Sequence, residues 1–442
     1  MFKYLPHTEE DIKQMLEVIG INSLDDLFSE IPSELLGREV DLPASHSELE
    51  IHQRFAELAA KNKILTPFVG AGAYDHYTPS VINHIIQRQE FLTAYTPYQP
   101  EISQGTLQYI FEYQSIICEL TGMHVSNASM YDGATATAEA MFMATHVRKR
   151  NKILISKTVN PNIIKVVETY ALYKGLTVDF IEEDNGITSV EDFKAKNSQE
   201  YAGIIVQNPN FYGIVEDYSM YRSILDETKG LFIMNHDISA LSILKTPAKY
   251  GVDIAVGDGQ TLGIPLSFGG PYIGYMATTK KLMRKLPGRI CGVTEDTEGK
   301  RAYVLTLQAR EQHIRREKAN SNICSNQSLI ALFVTVYTAI MGKQGIKEAQ
   351  INSVNATHYL YEEITKLPKF SKVYDHDFFK DCLIETTLDP EVINNELYKE
   401  GILGPLSLGK YDESKKQMLL FSATEKRTKK EIDKLVSILG AL

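Results

Sequence analysis

Four cysteines in 442 residues, Cys118, Cys291, Cys324 and Cys382, lie far apart and form no C-x-x-C pair. That spacing excludes a disulfide scaffold and a thiolate zinc site, and points to reduced, buried thiols in the cytosol. Basic clusters are scarce as well. With 46 Lys and Arg against 56 Asp and Glu, the formal charge is −10, so a nucleic-acid partner is not expected, because phosphate-backbone affinity rests on clustered cations. The N-terminal MFKYLPHTEED has no apolar signal core, and the longest apolar run, Leu329 to Met341, is interrupted by Thr335, Tyr337 and Thr338. A run of that length is too short to span a bilayer, and no membrane segment is expected. Internal repeats and low-complexity tracts are missing too.

What remains is ordinary globular material, 43% apolar and 23% charged, in a chain too long for one compact core. Residues up to about Asn62 read as helical, with capping boxes expected at Thr8 with Asp11, Ser23 with Asp26 and Ser45 with Glu48. From Lys152 to Thr278, β-rich runs alternate with helical patterns: Lys152 to Ser156, Val178 to Glu182, Gly203 to Gln207, Leu231 to His236, Val252 to Val256 and Tyr272 to Thr278. This predicts an α/β domain with a mostly parallel sheet. Ligands in such sheets bind beyond the carboxyl ends of the strands, where Asn208-Pro209, His236-Asp237 and the loop at Gln260 fall. A long helix is expected from Ser103 to just before Gly122, a buried one over Ser328 to Met341, and a small α+β region after about Gly345. The expected division is an N-terminal helical arm (1–65), a large α/β domain (66–325), and a connecting helix with a small C-terminal domain (326–442).

Several stretches carry residues suited to a site. GAGAYDHYTP, from Gly70, is a turn-rich loop that lacks the third glycine of a dinucleotide fingerprint. In Phe91 to Gly105, Pro97 and Pro100 exclude a helix and fix Tyr95, Tyr98, Gln99 and Glu101 on a rigid loop. Those tips present themselves to a ligand, or the loop is a connector packing its tyrosines on the core. Asp132, Gly133, Ala134 and Thr135 open a helix whose small residues leave backbone N–H groups free. They suit either a phosphate cradle or close helix packing. Asp237 ends a strand where a carboxylate pairs with a protonated ring nitrogen or merely caps a turn. Arg310, His313, Arg315 and Arg316 form a charge run that is a solvated helix face or an anion site toward a neighbouring chain.

The chain is organised around Gly251 to Thr278, GVDIAVGDGQTLGIPLSFGGPYIGYMAT, a strand, loop, strand unit. It resembles the loop that carries the Schiff-base lysine in pyridoxal-phosphate (PLP) enzymes of the aspartate-aminotransferase fold. Gln260 and Thr261 stand at the expected position, and no lysine lies between Lys249 and Lys280. A primary amide cannot form an imine. GAGAYDHYTP, AYTPYQPEISQG, DGATATAEA, GDGQTLGIPLSFGGPYIGY, PGRICGVT and LQAREQHIRREKANSNICSNQ, in this order, resemble the alpha subunit (subunit 1) of the two-chain P-protein of the glycine cleavage system, glycine dehydrogenase (decarboxylating).

That resemblance implies a PLP-dependent transferase-like fold (type I) and an obligate hetero-complex, an α2β2 tetramer. The beta subunit would hold PLP on its lysine. The complex would take glycine, release CO2 and pass the aminomethyl group to the lipoamide of the H-protein. It implies that Gln260 matches the lysine site, Asp237 the ring-nitrogen carboxylate and Asp132 to Thr135 the phosphate loop, all vestigial here. Tyr95, Tyr98, Gln99, Glu101, Arg310 and His313 are then candidates for the wall of the partner's site. The competing expectation is a scaffold that stabilises the PLP-bearing partner or docks the lipoyl carrier without touching substrate. A stand-alone PLP enzyme using another lysine finds no support in the α/β region, where no strand end offers one.

Overall fold

The computed structural model describes residue 4 and residues 6–37, 41–319, 321–323 and 326–442, so Cys324 lies outside the described residues. Two compact units separate at Met1–Lys63 and Ile64–Leu442. In the first, helices Glu9–Ile19 and Glu48–Ala59 flank two short 3-10 turns. The boxes at Thr8 with Asp11 and Ser23 with Asp26 are present. The third is shifted from Ser45 to Ser47: the Glu50 N–H donates to the Ser47 hydroxyl at 3.3 Å, and the Ser47 N–H donates back to the Glu50 carboxylate at 2.8 Å. Its helices bury no side chain, and Leu49, Ile51, Phe55 and Leu58 all stand in solvent.

The second unit is built on a seven-stranded sheet. Thr177–Ile181, Lys152–Ser156, Tyr201–Gln207, Leu231–Asp237 and Ile254–Asp258 run parallel in that spatial order. Gly274–Thr278 and a short edge strand, Val125–Ser126, close it antiparallel. Because side chains alternate across a strand, each one feeds two cores. Leu154, Phe232, Met234, Ala255 and Tyr275 face one, while Ile153, Ile155, Ile233, Val256 and Met276 face the other. Helices cover both faces, as a buried parallel sheet requires. The strand expected at Val252–Val256 starts and ends later, at Ile254–Asp258, because the ladder with Leu231–Asp237 continues to the pair Asp237 and Asp258.

A second, four-stranded antiparallel sheet is formed by Phe370–Lys372, Asp381–Thr386, Met418–Ser422 and Leu406–Ser407. The helix reaching it, Ser328–Ile364, extends well past Met341. By length and composition it is long and apolar enough to cross a bilayer. Gly342 breaks it, however, with φ 59° and ψ −178°, and Ala331, Phe333, Val334 and Tyr337 pack into the large sheet's core. The charge run at Arg310 to Arg316 is not one helix: Gln312–Arg315 is a single α-helical turn between 3-10 turns at Gln308–Arg310 and Arg316–Lys318. Before it, Arg301–Thr306 pairs with Ile290–Glu295 as a hairpin, where Tyr303, Val304 and Thr306 favour a strand.

The two sheets meet at Gly213, whose carbonyl accepts from the Phe379 N–H at 2.9 Å. A Cβ there would lie 2.1 Å from the Asp381 carbonyl oxygen, and its φ is 85°. At Gly175, φ is 64° but nothing lies within 4 Å. Gly175→Ala should therefore cost only the left-handed strain, about 1 kcal/mol. Gly213→Ala should cost at least about twice that, both measured by urea unfolding; equal costs would contradict this account of the junction.

The junction also carries charge. His76 Nδ1 lies 2.6 Å from Glu425, whose carboxylate also accepts from the Tyr77 N–H at 2.7 Å. Burial works against ionisation of Glu425, yet these bonds hold its pKa down to about 2, from 4.5. A depressed carboxylate stabilises the fold above its unfolded pKa and loses that stabilisation as pH falls toward the folded value. Glu425→Gln should accordingly lower the urea midpoint at pH 7, and the gap to the parent should narrow between pH 4.5 and pH 2. A gap that does not change with pH would contradict this assignment.

Candidate functional site

Beyond the carboxyl ends of the large sheet's strands lies a cavity of about 290 Å³. The Gly70 to Tyr74 loop, the helix start at Asp132 to Ala134, Pro209, His236, Asp237, Asp258 and Thr261 line it, and the second sheet contributes Lys380 and Asp381. The topology explains the convergence: parallel strands end together on one side, so the turns that follow them share one cleft.

Most of its polar groups are satisfied within the chain, the buried His236 Nε2 being an exception. Asp237 Oδ1 accepts from the Thr261 hydroxyl at 2.6 Å and from the Ser239 N–H at 3.0 Å. Its Oδ2 is ion-paired with Lys380 Nζ at 2.6 Å. Burial would raise the Asp237 pKa, but the Lys380 ammonium outweighs it and the carboxyl is held low. Lys380, 1% exposed, also meets His76 Nε2 at 2.9 Å and Gln350 Oε1 at 3.1 Å, and lies 4.1 Å from the centre of the Tyr74 ring. Desolvation, then Lys380, keeps His76 on the neutral side. On the helix side, the Gly133 N–H donates to Asp258 Oδ2 at 3.1 Å, and the Thr135 N–H donates to Asp132 at 2.8 Å. Asp258 also accepts from the Gln260 N–H at 2.8 Å. Burial raises Asp258 to about 7, and it raises Asp381, which accepts from the Tyr74 hydroxyl, to about 6.

Gln260 is fully buried but faces away from the cavity. Its side chain accepts from the Tyr74 N–H at 2.8 Å and donates to the carbonyls of Tyr74 at 2.8 Å and Ile264 at 2.7 Å. It splices the GAGAYDHYTP loop to the loop after the fifth parallel strand.

The sequence-predicted residues fall into two groups. Asp132, Gly133, Ala134 and Asp237 line the cavity, with Thr135 and Gln260 bonded around its rim. Tyr95, Tyr98, Gln99, Glu101, Arg310 and His313 do not line it. Tyr95 is 82% exposed, and Gln99 and Glu101 are exposed. Tyr98 meets His313 edge-on at 5.7 Å between ring centres, and the Arg289 guanidinium lies 5.5 Å from its ring centre. Arg310 is turned inward, bonding the carbonyls of Leu286 and Gly288 and pairing with Glu311 at 3.2 Å. Lys380, Asp258 and Asp381 escaped the sequence reading. Asp258 is two residues before Gln260, at the end of a strand, which is a usable signal. Lys380 immediately precedes a strand of the other sheet and Asp381 opens it, and neither carries such a signal.

Comparison with known proteins bears on this geometry. The glycine cleavage system P-protein family model matches residues 2–439. A relative from Moorella thermoacetica, named probable glycine dehydrogenase (decarboxylating) subunit 1, is 48% identical over 440 residues, covering 99% of each chain. One of the same name from Bacillus cytotoxicus is 46% identical over 446 residues, covering 100% of each. A solved glycine decarboxylase (P-protein) of the glycine cleavage system, in inhibitor-bound form, superposes with a TM-score of 0.91 at 40% identity over 100% of each chain. A sphingosine-1-phosphate lyase of Burkholderia pseudomallei shares the fold, with a TM-score of 0.68 at 11% identity over 92% of this chain. The large sheet has the architecture of the PLP-dependent transferases of fold type I, and this chain belongs to the glycine cleavage system P-protein family.

Proposed function

We propose that this chain is subunit 1 of a two-chain glycine dehydrogenase (decarboxylating), and that it works by completing the active site of a partner that carries PLP. The observation behind this reading is the state of the cavity. At the position matched to the lysine, Gln260 bonds backbone and faces away. The Gly133 N–H is occupied by Asp258, and Asp237 by Lys380. Asp132, Asp237, Asp258 and Asp381 face a single ammonium there, a poor setting for a phosphate dianion. These residues do not fit PLP, and no step of the reaction is assigned to this cavity.

The partner chain holds the cofactor on its lysine, and the complex takes glycine, releases CO2 and passes the aminomethyl group to the lipoamide of the H-protein. PLP supplies the electron sink that decarboxylation needs. The names of the relatives support a partner. So does the N-terminal unit, whose Leu49, Ile51, Phe55 and Leu58 are exposed along one helix; an obligate interface buries such groups. Assembly as α2β2 in the cytoplasm is part of the same reading. The exposed loop carrying Tyr95, Tyr98, Gln99 and Glu101, with His313 beside Tyr98, is the wall offered to the partner's site. Arg310, being turned inward, is not part of it.

Co-expression with a lysine-bearing beta subunit should give a co-purifying assembly that releases CO2 from glycine when lipoylated carrier is supplied. Separate migration in size-exclusion chromatography at micromolar concentration, or full activity from the beta subunit alone, would overturn the proposal. Within the assembly, Tyr95→Phe or Glu101→Gln should lower turnover at least about tenfold, roughly 1.4 kcal/mol of transition-state stabilisation, without loosening the complex. Unchanged kinetics for both variants would leave the scaffold role in its place.

A further inference from the structure

The cavity is closed by more than the loss of a lysine. Its two remaining cofactor anchors have each acquired a partner from within the chain. A protonated ring nitrogen would present a positive charge to Asp237, and Lys380 Nζ stands there at 2.6 Å. A phosphate oxygen would accept from the Gly133 N–H, and Asp258 Oδ2 accepts there at 3.1 Å. We propose that Lys380 and Asp258 are resident substitutes for the cofactor's ring nitrogen and phosphate, and that the Lys380 substitution locks the small sheet onto the large one. This goes beyond the subunit reading and does not rest on it.

Three observations carry the proposal. First, Lys380 immediately precedes the Asp381–Thr386 strand of the small sheet while Asp237 ends a strand of the large one, so their ion pair spans the cleft. Second, the ammonium has a complete set of neighbours: Asp237, His76 Nε2, Gln350 and the face of Tyr74. An ammonium held this way has no lone pair with which to attack an aldehyde. Third, the lock is extended on both sides of Lys380. Its backbone carbonyl accepts from the Ser422 hydroxyl at 2.6 Å, and the neighbouring Asp381 accepts from the Ala71 N–H at 3.2 Å in the GAGAYDHYTP loop. A buried charge left alone is costly, whereas removing both members of a pair leaves little penalty. A lock of this kind therefore has a signature that simple packing lacks.

The experiment uses the full chain and needs no activity. Lys380→Met keeps the unbranched side chain as far as Cε and removes the charged Nζ, and should lower the melting temperature by at least about 5 °C. Asp237→Asn keeps the Oδ1 acceptor for Thr261 and Ser239. Combined with Lys380→Met, it should recover at least half of that loss. If the losses of the two single variants simply add, or Lys380→Met melts like the parent, the lock is wrong. In parallel, the unmodified chain is incubated with PLP, reduced with borohydride and digested. The proposal expects no single lysine to be labelled; stoichiometric label on Lys380 would make it an imine lysine and overturn the assignment. Failure to assemble with a beta subunit while both readouts hold would sink the proposed function and leave this inference standing.

Discussion

The ion pair between Lys380 and Asp237 is the constraint on which the second unit's architecture turns. A strand-end carboxylate buried beneath a second sheet needs a positive charge, and in a PLP enzyme of this fold the cofactor supplies it. Here the polypeptide supplies it, from a lysine that is 1% exposed. Around that pair the arrangement follows. His76 is kept neutral and bridges Lys380 to Glu425, while Tyr74 covers the ammonium and bonds Asp381. Gln260 then ties the Tyr74 backbone to the loop that ends the fifth parallel strand. The cleft that would open for a cofactor is instead stitched from both sides.

This separates two kinds of selection on one chain. Under the proposed function, residues inside the cavity answer only to the chain's own stability, while residues on the outer face answer to the partner's active site. The exposed tips of Tyr95, Gln99 and Glu101 and the exposed apolar side chains of Glu48–Ala59 fit the second demand. The inward turn of Arg310 shows that a charge run in sequence is a poor guide to which demand a residue serves. Its guanidinium bonds the carbonyls around Pro287, a local structural duty.

Much of the fold was legible in the sequence because period and punctuation agree. Each strand of the parallel sheet is a short apolar run, and Gly122 ends its helix with φ 71°. The helix expected from Asp132 opens there, and its cap is the Asp132 carboxylate. Boundaries drifted where pairing overrode local pattern, as at Ile254–Asp258 and in the Arg301–Thr306 strand. The site was half legible. Asp237 and Gln260 follow neighbouring strands of one sheet, and the helix capped by Asp132 starts against Asp258 at the end of one of them, so topology brings them together. Lys380 and Asp381 reach the cavity through tertiary folding of a second sheet more than a hundred residues after Gln260, and no local signal marks them. The same applies to Glu425, an unremarkable residue in sequence that becomes the partner of His76.

The central claim is that one chain of the pair keeps the cofactor and the other has replaced it with its own charges. The most direct measurement is the cofactor content of the purified two-chain assembly, counted against both polypeptides. The account predicts one PLP for each pair of chains, released only from the beta subunit. Two per pair, or any stoichiometric cofactor on this chain, would contradict it.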